Sequence, residues 1–149
     1  MDNVHDLRPT NSVSLSQALL TGLFAGMIAT VICIVFNIVY RDESRFALSE
    51  IINVSSLIFG VNLVFLLIGA VYYMCLKTFQ KGDLIFIVVF LLLTVFLAWR
   101  AMYVHRADDA VQNREFHNLL LGVIVISGLL ASLGIPWLYH NKKFRENVV

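Results

Sequence analysis

Charge is what this chain has little of. Only 14% of its 149 residues are Asp, Glu, Lys or Arg, and 59% are hydrophobic, whereas a soluble domain is about a quarter charged. The charges it has stand near the termini and in the connections. No charged residue falls in 9–40, 51–76, 84–99 or 116–141. Four such runs, with a mean hydropathy of +0.81 for the whole chain, predict membrane-crossing helices. With two Pro and eight Gly, little room is left for a disordered linker.

Other absences exclude chemistry. No Asp or Glu lies within any apolar run, which argues against a proton-coupled pump, because such pumps place an ionisable group inside the membrane. No basic tract suggests nucleic acid. Cys33 and Cys75 are the only cysteines, and without a vicinal pair a membrane thiol oxidoreductase is not expected. If helices one and two are antiparallel neighbours, the two thiols lie roughly 25 Å apart at 1.5 Å per residue, too far for a disulfide. His105 and His117 are the only histidines placed to converge, and no Cys or carboxylate joins them at a ligand spacing. No metal, haem or other cofactor is therefore expected. No Ser has a matched base and orienting acid, so catalysis is not evident.

The first run, Ser16 to Tyr40, is the stretch the chain is organised around. Gly22, Gly26, Thr30, Cys33 and Asn37 recur at steps of four and three, which puts them on one helical face. The other faces are Leu, Ile, Val and Phe. A stripe of small residues on an apolar helix predicts close packing against another helix, with a GxxxG-type pair at Gly22 and Gly26. That partner is either within the bundle or in a second copy, and the intramolecular contact is preferred because short-looped helices must first bury their own small faces.

Four helices are expected over about 16–40, 50–76, 84–104 and 117–139. In helix two, small and polar groups including Gly60 and Gly69 occupy two faces, as for a helix held between neighbours. Asp83 is a plausible N-cap for helix three, and Gly82, in the preceding turn, should tolerate substitution better than Gly26. Helix three is almost uniformly large and apolar and should be the most lipid-exposed. Arg100, near its end, can snorkel to the headgroups. Helix four carries a small face at Ser127, Gly128, Ala131 and Ser132, then Pro136, which removes a hydrogen-bond donor to Ser132.

An even number of crossings returns both termini to one side. That side carries six cations, Arg8, Lys77, Lys81, Lys142, Lys143 and Arg145, against five on the other. The bias is slight, although every Lys is on the terminal side, and it orients both termini to the cytoplasm of a plasma or bacterial inner membrane.

The polar groups suggest one site. Asn37 near the end of helix one and Asn53 near the start of helix two should sit at one depth, with Ser56 nearby and Arg41, Arg100, His105 and His117 reaching the same side. An intramembrane amide is costly unless bonded. Asn37 and Asn53 either bond each other and hold the hairpin together, or line a small pocket. The sequence thus predicts an all-α, single-domain, antiparallel four-helix transmembrane bundle with short connections over residues 1–149. It is expected to act without catalysis, through helix packing, as an oligomer or accessory subunit of a larger membrane complex. Ligand binding or transport through the Asn37 and Asn53 pocket is the competing reading. The helix-packing set is Gly22, Gly26, Thr30, Gly60, Gly69, Gly128 and Ser132. The bilayer itself is the principal partner.

Overall fold

Long uncharged runs of Leu, Ile, Val and Phe leave the backbone no better partner than itself, and such segments close their own hydrogen bonds as helices. The computed structural model of the chain describes residues 14–44, 54–103 and 110–144. Its elements are α1 (Leu15–Ser44), α2 (Val54–Thr78), α3 (Gly82–Ala101), α4 (Ala110–Leu129), a π-helical segment (Leu130–Gly134) and α5 (Ile135–His140). Among the described residues, four stretches are long and apolar enough to cross a membrane: Leu15–Tyr40, Val54–Thr78, Gly82–Ala101 and Phe116–His140. Helix α1 runs past the expected boundary to Ser44, and α3 ends at Ala101 rather than 104.

The fourth stretch is interrupted for a local reason. Pro136 has no N–H to offer the Ser132 carbonyl, and its ring crowds that same carbonyl. The chain widens to π geometry over Leu130–Gly134 just before it, and Pro136 then occupies the first turn of α5. The Ser132 hydroxyl turns back to donate to Leu129 O at 3.3 Å.

Packing starts from the small face of α1. Gly22, Gly26, Thr30, Cys33 and Asn37 are all buried, joined by Ala18, Thr21, Ala25 and Ala29. A Cβ on Gly22 would stand 2.6 Å from Phe65 O and 3.0 Å from Gly69 Cα; one on Gly69 would stand 2.7 Å from Ala18 O. The backbones of α1 and α2 touch there because neither glycine has a side chain. Gly26 faces the Phe65 Cβ at 2.8 Å in the same sense.

Around this pair the other helices complete the bundle. On α4, Gly122 receives the ring of Phe36 from α1, and Gly128 receives Thr94 from α3. Gly60 differs from the other glycines expected in helix contacts. A Cβ there would meet nothing within 4 Å. Gly82 also differs from expectation. It is buried, and a Cβ would meet the Cys75 carbonyl oxygen at 2.6 Å and Leu76 Cα at 2.7 Å, so the α2–α3 turn is as tight as the α1–α2 crossing.

The buried set is small or polar at many positions, whereas the outer surface is large and apolar. Val31 is 61% exposed, Phe59 72% and Leu92 66%, while Thr21, Thr30, Asn37 and Ser132 are each at most 5% exposed. Only 11% of the most apolar window of α3 is buried, against 39% for α1. Helix α1 is the centre of the packing and α3 its rim.

Candidate binding cleft and polar clusters

Helices α2 and α3 are pinned together at one end and part toward the other. At the pinned end Gly82 abuts Cys75 and Leu76, and the Tyr72 and Phe86 rings meet edge to face with centroids 4.8 Å apart. Further along, α3 leans instead on α4, where Thr94 sits over Gly128. A cleft of about 410 Å³ opens between α2 and α3, floored by α4. Gly60, Val64, Leu67 and Val71 form one wall, Phe90, Leu93, Thr94 and Leu97 the other, and Val123, Ser127 and Ala131 the floor. Gly60 helps keep it open, since a side chain there would project into unfilled space. Its two hydroxyls are turned to the protein. Thr94 donates to Phe90 O at 2.7 Å, and Ser127 Oγ lies 3.6 Å from Cys33 Sγ. What the cleft offers a ligand is hydrocarbon surface.

A second cavity of about 260 Å³ lies at the far end of α3, lined by Leu97, Arg100, Ala101, Tyr103, Leu120 and Ile124. Leu97 and Ile124 line both cavities. Trp99 and Tyr103 stand there edge to face at 5.6 Å.

The residues expected to form a polar pocket are only partly described. Asn37 is 1% exposed, and neither its amide nitrogen nor its oxygen has a hydrogen-bond partner among the described residues. Neither of the two cavities above is lined by Asn37. Asn53 and His105 lie outside the described residues, as does the side chain of Arg41. Ser56 is exposed on the first turn of α2, and His117 is half-buried on α4 beside the buried Phe116. Arg100 is exposed and lines the cavity at the end of α3.

Two clusters were missed. The first is an interhelical relay. Asn62 Nδ2 on α2 donates to Thr30 Oγ1 on α1 at 3.0 Å and to Ile58 O at 2.7 Å, while the Thr30 hydroxyl donates to Gly26 O at 2.8 Å. Among the described residues, the amide that ties α1 to α2 is therefore Asn62. By helical periodicity Asn62 falls on the face opposite Asn53 and Ser56. The signal that could have found it was depth, because Thr30 and Asn62 lie at similar distances, about three turns, from the expected helix ends at 40 and 50.

The second cluster joins three helices. Tyr72 is fully buried on α2 and its hydroxyl donates to Asp83 Oδ1 on α3. The other carboxylate oxygen stands 3.4 Å from His140 Nε2 on α5. His140 Nδ1 is 2.9 Å from Pro136 O, an acceptor only, so that nitrogen carries a proton. Asp83 does not cap α3. The N-cap position is Lys81, without any side-chain cap bond, and the carboxylate is turned to Tyr72 instead. Phenol and carboxylate outcompete the cap because the buried tyrosine hydroxyl has no water to bond.

Cys33 and Cys75 are both free thiols. Among the described residues, no three His, Cys, Asp or Glu side chains are grouped to hold a metal ion. Comparison with protein families, curated proteins and solved structures finds no match to the chain.

Proposed function

We propose that this is an integral membrane protein, an antiparallel four-helix bundle that binds a hydrophobic ligand from the bilayer in the cleft between α2 and α3, without catalysis. One observation carries the reading. The exterior is large and apolar, buried positions such as Thr21, Thr30, Asn37 and Ser132 are polar, and the 410 Å³ cleft opens through that apolar exterior. In water such a surface would aggregate; in lipid it is already solvated.

The antiparallel arrangement is supported by pairings that run in opposite order. Gly22 meets Gly69 while Thr30 meets Asn62, and Phe24 meets Phe144 while Phe36 meets Gly122. Assembly with a second copy or a larger membrane complex has less support than the sequence implied, because the Gly22 and Gly26 face is already against α2.

Cysteine scanning on a background lacking Cys33 and Cys75 tests the membrane reading. Cysteines at Arg8 and Lys142 should label from the cytoplasmic side and one at Asp109 from the other. Labelling of Arg8 and Lys142 from different faces would rule out four crossings. The cleft is tested by Gly60→Phe, which should abolish protection of a cysteine at Leu93 from hydrophobic maleimides by bound lipid. Equal labelling with and without lipid in both proteins would remove the binding reading.

A further inference from the structure

The cleft and the Arg100 cavity adjoin at Leu97 and Ile124, which line both, and in series they make a groove with an apolar body and a cationic end. From Phe90 to Arg100 this groove follows ten residues of α3, about 15 Å at 1.5 Å per residue. That is the hydrocarbon depth of one leaflet, half of a core roughly 30 Å thick. The cleft alone follows α3 from Phe90 to Leu97, about 10 Å at 1.5 Å per residue, so 410 Å³ gives it a cross-section of about 40 Å². A helix with side chains is about 10–12 Å across, roughly 80–110 Å². A transmembrane helix from a second copy is at least about twice too thick; a single extended hydrocarbon chain fits.

The end of the groove says what such a chain is attached to. Arg100 stands in the last turn of α3, is exposed, and has no ion pair among the described residues. Trp99 and Tyr103 beside it are the aromatic pair expected at headgroup depth. The rim is open sideways, since Val64, Leu67, Leu93 and Leu97 are each at least 43% exposed. A lipid can therefore enter laterally while its headgroup stays at the interface. Resting on the reading that the cleft binds a bilayer ligand, we propose that it holds one acyl chain of an anionic phospholipid, with the phosphate on the Arg100 guanidinium.

The test uses the full chain in nanodiscs of equal phosphatidylglycerol and phosphatidylcholine, released into mild detergent and read by native mass spectrometry. One phosphatidylglycerol should be retained over phosphatidylcholine by about fivefold, the ceiling for a solvent-screened ion pair. Arg100→Gln should bring the two lipids to parity with retention kept, and Gly60→Phe should lose both. Gly60→Leu serves where Gly60→Phe does not fold. Equal retention of both lipids by the unaltered protein, abolished by Gly60→Phe, would overturn the anionic preference while leaving a chain in the cleft. Retention unaffected by either Gly60 variant would overturn the cleft itself. A dimer lost in Gly60→Phe, with no lipid retained, would give the groove to a second copy and also overturn the proposal.

Discussion

Placing a methyl group on Gly22 and on Gly60 separates helix contact from helix composition. On Gly22 the new Cβ would lie 2.6 Å from Phe65 O, a backbone atom that cannot rotate away. Ordinary contact begins near 3.4 Å, so α1 and α2 must part by about 0.8 Å or bend around the site. Overpacking of this kind costs about 1–3 kcal/mol. The intrinsic gain of Ala over Gly in a helix, about 1 kcal/mol, opposes it. Gly22→Ala should therefore be destabilised by about 0–2 kcal/mol. Gly60→Ala keeps the helical gain and meets no atom, so it should be neutral or more stable. The difference between the two, about 1–3 kcal/mol, is independent of how strong the helical preference is in a membrane. Reversible unfolding in mixed detergent micelles, followed by circular dichroism, measures both. Equal stabilities would refute the close crossing at Gly22 and Gly69.

Other substitutions read the remaining contacts. Gly82→Leu should destabilise as much as Gly26→Leu, because both would strike α2; a mild Gly82→Leu in the same unfolding assay would contradict the tight turn. Asn62→Leu should cost on the order of 1 kcal/mol, the scale of a membrane hydrogen bond, and a Thr30→Val, Asn62→Leu double-mutant cycle should show coupling; additive effects would dissolve the relay. Asn37→Leu, which keeps the branched shape and removes two buried atoms that have no partner among the described residues, should raise stability by about 1 kcal/mol, and a loss would mean that the amide has a partner. Tyr72→Phe should cost about 1 kcal/mol and should release α5, seen as faster hydrogen exchange over Ile135–His140; unchanged exchange would leave Asp83 without a locking role.

The four apolar runs, and the face of α1 that would be buried, were legible in the sequence because they depend on one helix at a time. A period of 3.6 residues puts Gly22, Gly26, Thr30, Cys33 and Asn37 on one side whatever lies opposite, and absence of charge marks the helices without knowledge of their neighbours. Pro136 likewise announced a local defect, since its effect on Ser132 is covalent geometry. What pairs with what depended on how the helices lean. Gly60 and Gly69 are equivalent as letters, yet one meets a backbone and the other opens a cleft, because α2 and α3 are pinned at Gly82 and diverge from there. Asp83 stands where caps are found, but the fold brings Tyr72 and His140 to it from two other helices, and a buried hydroxyl outweighs an exposed cap. The joining of an apolar cleft to Arg100 also belongs to the tertiary structure alone. It requires α2 and α3 to part over α4, and no spacing along a single helix encodes a gap between two others.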